Sequence, residues 1–233
     1  KEDGKNWMEH MSMSSMGADM ADINNDGRTE IFATDMLPES DERLKMTSDF
    51  QRNDIYQLLV GRDFHHQFMH NALQLNNGNN TFSEIAYGAG VAATDWSWGA
   101  LIFDMDNDGY KDIYVSNGIF HDLTDQDFMD FFANEIIRDM TITEIKQDKD
   151  KVIDKMPSNP QVNAVFRNNG NLAFSDFSKE WGMDVPSFSN GAAYGDLDND
   201  GDLDLIVNNV NAKAFVYKNK TNEITKNNYL KVE

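Results

Sequence analysis

Ser189-Asn-Gly-Ala-Ala-Tyr-Gly-Asp-Leu-Asp-Asn-Asp-Gly-Asp-Leu-Asp204 decides the fold, because the chain contains it three times. Gapless counterparts run Ser15-Met-Gly-Ala-Asp-Met-Ala-Asp-Ile-Asn-Asn-Asp-Gly-Arg-Thr-Glu30 and Ser97-Trp-Gly-Ala-Leu-Ile-Phe-Asp-Met-Asp-Asn-Asp-Gly-Tyr-Lys-Asp112. The shared pattern is S-x-G-A-x-x-x-D-x-[DN]-x-D-G-x-x-[DE]. Each copy runs into a short apolar stretch: Ile31-Phe-Ala33, Ile113-Tyr-Val115 and Leu205-Ile-Val207. Self-similarity of this kind is the mark of a repeat architecture.

A second element alternates with the first. Asn71-Ala-Leu-Gln-Leu-Asn-Asn-Gly-Asn-Asn-Thr-Phe82 matches Asn163-Ala-Val-Phe-Arg-Asn-Asn-Gly-Asn-Leu-Ala-Phe174, and Phe215-Val-Tyr-Lys-Asn219 is a shorter third copy. Asn-Asn-Gly signals a tight turn between strands. From the turn Asn to the next acidic loop is 28 residues both times, Asn76 to Asp104 and Asn168 to Asp196. From acidic loop to turn is 54, 64 and 23 residues, so all length variation follows the acidic loop. The shortest copy gives a bare unit of about 50 residues, built of short strands, which is the length of a propeller blade.

The predicted fold is therefore mainly β: propeller blades with helical insertions, part of a larger propeller, since three blades fall short of the usual 4–8. Residues 1–14 read as the end of a preceding blade, 15–96 as blade one with a helical insertion at about 36–70, and 97–188 as blade two with one at about 119–160. Residues 189–226 read as blade three and 227–233 as the start of a following domain. The insertions carry helix-like spacing: Leu44, Phe50, Ile55, Leu58 and Leu59 in the first, then Phe128, Phe131, Phe132, Ile136 and Met140 in the second, with Pro157 and Pro160 as terminators. The chain opens on Lys1 and closes on the strand-like Tyr229-Leu-Lys-Val-Glu233, which reads as an internal piece of a longer, processed protein.

Composition narrows the function. The 233 residues carry 40 Asp+Glu against 20 Lys+Arg, a net charge of −20. That argues against nucleic acid and anionic lipid as partners, since both demand positive charge. The absence of cysteine excludes disulfides, thiolate metal sites and thiol nucleophiles. No apolar run approaches the ~20 residues of a membrane span.

The acidic loops call for a cation. Counted from Asp22, oxygen side chains stand at positions 1, 3, 5 and 9: Asp22, Asn24, Asp26 and Glu30, then Asp104, Asp106, Asp108 and Asp112, then Asp196, Asp198, Asp200 and Asp204. Gly27, Gly109 and Gly201 supply the sharp turn at position 6, and Arg28, Tyr110 and Asp202 at position 7 can offer a backbone carbonyl. Two like charges ~4 Å apart repel by about 1 kcal/mol even in water. A divalent cation reverses that sign. Calcium accepts 6–8 oxygens in flexible geometry, magnesium demands stricter octahedra, and zinc or copper prefers nitrogen or sulfur. About three Ca²⁺ ions are expected, the first loop being the weakest because of Asn24 and Glu30. An EF-hand is excluded, since its position-12 Glu is replaced by Ala33, Val115 and Val207 in apolar runs.

These loops, with the following Asn-Asn-Gly…Phe, resemble the FG-GAP/VCBS repeat of integrin-α-like β-propellers. The resemblance implies blades whose acidic loop joins two strands and holds structural calcium. Thr34-Asp-Met-Leu-Pro-Glu39 and Asn117-Gly-Ile-Phe-His-Asp122 resemble stretches of large VCBS-repeat proteins exported by Bacteroidetes, and Asn227-Asn-Tyr-Leu-Lys-Val-Glu233 resembles the start of an ASPIC domain. The function so implied is an extracellular or outer-membrane-surface module that binds protein or glycan in adhesion, without catalysis.

Other residues carry weaker signals. His66 and His70 have the i, i+4 spacing of two metal ligands on a helix, but Gln67 stands where a zinc protease has Glu, and His65 and His121 add nothing definite. Glu39, Asp41, Asp122, Asp125 and Asp127 in the insertions could supply a catalytic pair, the basis of an alternative reading as a polysaccharide lyase or hydrolase, or an accessory domain of one. Trp96, Trp98 and Trp181 suit burial between blades better than stacking on sugars. The thirteen Met read as core filler.

Overall fold

The computed structural model describes residues 3–47, 53–132, 153, 156–225 and 227. Each repeat is a small antiparallel sheet. The first has the order β2-β3-β5-β6, from strands Ala18–Ala21, Glu30–Ala33, Ala72–Asn76 and Phe82–Glu84. The second, β7-β8-β9-β10, comprises Ser97–Phe103, Asp112–Asn117, Ala164–Asn168 and Phe174–Asp176. Among the described residues the third has three strands, β11-β12-β13: Ser189–Gly195, Asp204–Asn209 and Phe215–Tyr217. A separate parallel pair, β1 (Met11–Ser12) with β4 (Gln67–Phe68), ties the start of the chain to the first insertion.

Two apolar layers lie between the three sheets. Ile23, Phe32, Leu73, Ile102, Ile113, Val115 and Phe166 fill the layer between the first and second blades. Phe103, Met105, Tyr114, Val165, Leu205 and Val207 fill the layer between the second and third. Successive strand residues point to opposite faces. Ile113 and Val115 therefore enter the first layer and Tyr114 the second, and every residue of β8 is buried. This is why the run after the acidic loop is continuously apolar: a central blade is covered on both faces.

The innermost strands β2, β7 and β11 lie side by side. Gly17 shows how close they come: a Cβ there would sit 2.1 Å from the Trp98 carbonyl oxygen. Gly17 thus admits the backbone of the second blade. Side chains bridge the same gap, with Ile102 N–H donating to Asp19 (2.7 Å) and Thr34 Oγ1 to the Trp98 carbonyl (3.1 Å).

The insertions carry helices at Asp41–Thr47 and Asn53–Gly61, and over 126–132. Phe128 is buried and stacks on Phe132 at 5.7 Å, while Ile136 and Met140 lie outside the described residues. Of the stretch 227–233 only Asn227 is described. Met20 is 63% exposed, so it fills no core. Trp96, Trp98 and Trp181 are half-buried, and Trp98 donates its indole N–H to the Gly118 carbonyl (2.7 Å). No described helix is long and apolar enough to cross a membrane.

Candidate functional site: a row of acidic loops

The three acidic loops are superposable in their hydrogen bonding. Each joins the first two strands of its blade. Position 4 is an Asn in the left-handed region (Asn25 φ 60°, Asn107 φ 54°, Asn199 φ 62°) and position 6 a Gly there (φ 83°, 92° and 92°), which curls the loop on itself. The position-1 carboxylate then accepts the N–H of position 5: Asp26 to Asp22, Asp108 to Asp104 and Asp200 to Asp196, all at 3.1 Å. Position 5 accepts the N–H of position 7 at 2.9, 2.9 and 3.1 Å.

This curl brings the odd-numbered acids together. The carboxylate oxygens of Asp104, Asp106 and Asp108 lie within 4.8 Å of one another, as do those of Asp196, Asp198 and Asp200. Both triads are close enough to share one cation. In the first loop the corresponding groups are Asp22, Asn24 and Asp26, and Asn24 Nδ2 donates to Asp26 at 3.1 Å.

Position 9 sits deeper than the triad. Glu30, Asp112 and Asp204 are buried, and each spans two backbone donors. Asp112 accepts Met105 N–H (2.9 Å) and Asn168 N–H (2.8 Å), and Asp204 accepts Leu197 N–H (3.0 Å) and Asn219 N–H (2.8 Å). Glu30 accepts Ile23 N–H (3.0 Å) and, more loosely, Asn76 N–H (3.4 Å). The acid therefore braces the loop against the turn Asn of its own blade, Asn76, Asn168 or Asn219. Burial, with repulsion from Asp106 and Asp108, pushes Asp112 up to about 7 against the pull of those two N–H groups. Burial likewise raises Glu30 and Asp104, with neighbouring carboxylates adding to it.

Position 7 reaches past the triad to the neighbouring turn or loop, Arg28 pairing with Asp26 on the way. Arg28 lies over Gly78 and Tyr110 over Gly170, the glycines of the adjoining turns. Asp202 is buried and accepts Asn107 Nδ2 (2.7 Å) and Asn222 N–H (2.8 Å).

One basic group leans on each loop. Arg28 pairs with Asp26 (2.5 Å), Arg167 with Asp106 and Asp108 (2.6 and 2.7 Å), and Lys218 with Asp198 and Asp200. Arg167 and Lys218 are homologous, each preceding the turn Asn; blade one has Leu75 there and recruits Arg28 from the loop itself. One cation does not balance a loop. The second holds four carboxylates against Arg167 and Lys111, and the third holds five, counting Asp202, against Lys218.

Sequence reasoning missed the bonds that join neighbouring loops. Asn25 Nδ2 donates to the Gly109 carbonyl (3.0 Å), and its counterpart Asn107 to Asp202 (2.7 Å). The turn Asn reaches back to the preceding blade: Asn168 Nδ2 to the Ile23 carbonyl (2.9 Å) and Asn219 Nδ2 to the Met105 carbonyl (2.8 Å). The loops thus form a linked row at one end of the blades. At the other end, the buried amides of Asn71 and Asn163 accept Asp35 N–H and Asn117 N–H (both 2.8 Å) and reach the following blade's Ser97, through Thr94, and Ser189. The signal was available, since both Asn recur in register, but nothing in one repeat says which neighbour an amide will reach.

Other predicted groups separate. His66 and His70 are not on a helix: strand β4 runs through Gln67–Phe68 between them, and Tyr56 Oη holds His66 Nδ1 at 2.6 Å. The helical spacing failed because β1 recruits this segment as its partner. Of the acids considered for catalysis, Asp122 is paired with Arg43 (2.5 Å) and Asp125 accepts Phe128 N–H (2.8 Å). Glu39 lines a recess of about 560 Å³ together with Arg43, Met46, Asp95, Asn163 and Phe166. Arg43 also pairs with Asp95 (3.0 Å), so one guanidinium bridges two carboxylates beside that recess.

No curated protein matches the chain. The model of the FG-GAP-like repeat matches residues 52–115 and 148–207, a little over half of the chain. Those stretches contain the second and third acidic loops; the first lies outside them. The family is one of β-propeller-like binding modules rather than catalysts. Repeated sheets, acidic loops and this match agree: the chain belongs to the FG-GAP-like repeat family.

Proposed function

We propose that this chain is part of a calcium-stabilised β-propeller that works outside the cell as a binding module for protein or glycan. The observation that carries the reading is the surplus of carboxylate in the second and third loops after Arg167 and Lys218 have been paired. Positions 1, 3, 5 and 9 and the carbonyl of position 7 would hold the ion: Asp104, Asp106, Asp108, Asp112 and Tyr110, and Asp196, Asp198, Asp200, Asp204 and Asp202. Asp22, Asn24, Asp26, Glu30 and Arg28 form the weaker first site. Each bracing oxygen keeps a lone pair beyond its N–H bond. Bound calcium supplies charge that the loop lacks. The chain's own part is to curl each loop, hold the acids in register and link one loop to the next.

Extracellular calcium modules operate with dissociation constants of 10⁻⁴–10⁻³ M, which suits shallow loops on a sheet end. Export is supported by the resemblance of Thr34–Glu39 and Asn117–Asp122 to stretches of exported Bacteroidetes proteins, and the resemblance of Asn227–Glu233 to the start of an ASPIC domain accords with it. We set the blade boundaries at 15–96, 97–188 and 189–226, a division that the separation into three sheets supports. Further blades would cover the outer face of blade three, where Ile206 and Val216 (65%) are exposed, and that of blade one around Met20. The amphipathic recess at Arg43 is where a polar ligand would be sought.

Calorimetric titration with Ca²⁺ tests the reading. It should give two to three sites, with Asp106→Ala and Asp198→Ala each removing one and leaving the others. Heat of binding unaltered by both variants would refute it.

A further inference from the structure

His10, His70 and Glu84 each offer one ligand atom, and these lie within 4.8 Å of one another. They share no residue with the acidic loops. We propose that they form a second kind of metal site, selective for Zn²⁺, that clips the start of the chain to blade one.

The β1–β4 pairing builds the cluster. His10 immediately precedes β1 and His70 follows β4 by two residues, so the parallel register Met11↔Gln67 and Ser12↔Phe68 carries both imidazoles to one place. Their rings stand 5.4 Å apart, and Phe68 packs edge-on against His10 at 5.2 Å. Tyr87 covers His70 at 5.1 Å. Glu84, at the end of β6, supplies the carboxylate: Oε2 lies 3.4 Å from His10 Nε2.

The surroundings prepare each group. His70 is 2% exposed, and its Nδ1 faces the Asn71 carbonyl at 2.5 Å. A carbonyl only accepts, so Nδ1 carries the proton and Nε2 presents a lone pair, the arrangement that orients metal-ligating histidines. Glu84 Oε1 is fixed by the N–H groups of Leu73 (2.9 Å) and Ala86 (2.8 Å), which leaves Oε2 directed at His10. Gln74 lies directly opposite Glu84 across β5–β6 and donates Nε2 to the His10 carbonyl (2.8 Å). Its Oε1 is buried with no hydrogen-bond partner among the described residues. A water in the fourth metal position would give that oxygen a donor.

Chemistry selects the ion. Two imidazoles and one carboxylate suit zinc, whereas calcium takes oxygen. Bonds of ~2.1 Å in a tetrahedron place ligand atoms about 3.4 Å apart, the separation found between His10 and Glu84.

The test uses the full chain with calcium at millimolar concentration, so that the acidic loops are saturated and the outcome does not depend on them. Zn²⁺ is titrated against a chromophoric chelator, and Co²⁺ is substituted to read visible d–d absorption. One Zn²⁺ per chain is expected, weakened at least tenfold by His10→Ala, with tetrahedral Co²⁺ bands lost in that variant. His10 is partly exposed and should be replaceable without unfolding. Glu84→Gln retains Oε1 for Leu73 and Ala86 and should weaken zinc likewise, while His66→Ala should leave it unchanged. Wild-type protein that takes up no zinc, or zinc affinity equal in wild type and His10→Ala, overturns the proposal.

Discussion

Replacing Asp112 by alanine separates bracing from ion binding in the second loop. Asp112 is fully buried, and its oxygens accept Met105 and Asn168 N–H at 2.9 and 2.8 Å. Alanine leaves two buried donors without an acceptor, at about 1–3 kcal/mol each. At pH 5.5, relief of the buried carboxyl, pushed up from 3.8 to about 7, returns about 2 kcal/mol. The net loss at that pH is thus about 2 kcal/mol, or roughly 4–8 °C in melting temperature for a chain of this size. The loss should be present in EDTA, because it does not involve the ion. Asp106→Ala is the control. That side chain touches Asp108 N–H and Arg167 at the surface, so its variant should match wild type in EDTA and fall behind only in calcium. Urea unfolding followed by circular dichroism, with EDTA and with calcium, reads both. Equal midpoints for Asp112→Ala and Asp106→Ala in EDTA would refute the bracing role.

Two further outcomes are expected. Gly17→Ala drives a methyl to 2.1 Å from the Trp98 carbonyl and should destabilise by about 1–3 kcal/mol, whereas Gly191→Ala, with nothing within 4 Å, should be near neutral; thermal melts compare them. Asp112 has a folded pKa of about 7 against 3.8 unfolded, so the native, metal-free protein binds the extra proton between those values. Its contribution to stability therefore falls as pH rises from about 4 to 7. Calcium competes with that proton, so binding at the second loop should weaken about 25-fold from pH 7.5 to 5.5, read by titration at both pH values.

Much of this was legible in the sequence because the repeat is read three times. The continuous run Ile113-Tyr-Val115 and the register of Asn76, Asn168 and Asn219 follow from strand periodicity and turn chemistry, which are local. The acidic positions are local too: a left-handed Asn and a Gly curl the loop whatever surrounds it. What stayed hidden is relational. Asp112 reads as a ligand in the sequence, and only the packed sheet shows it spanning two backbone donors. His70 was paired with His66 by spacing, whereas its neighbours in space are His10 and Glu84, brought there by a parallel strand pair too short to announce itself. Arg28, standing in for the charge that Leu75 lacks, is a compensation within blade one that shows only when its repeat is set beside the other two.

The central claim is that the acidic loops exist to hold calcium. Its most direct measurement is the melting temperature of the purified chain in EDTA and in 1 mM Ca²⁺, with bound metal counted by elemental analysis. Three sites with dissociation constants near 10⁻⁴ M would together add about 4 kcal/mol. A rise of about 8–16 °C and two to three Ca²⁺ per chain are expected. Identical melting curves and no bound calcium would contradict that claim.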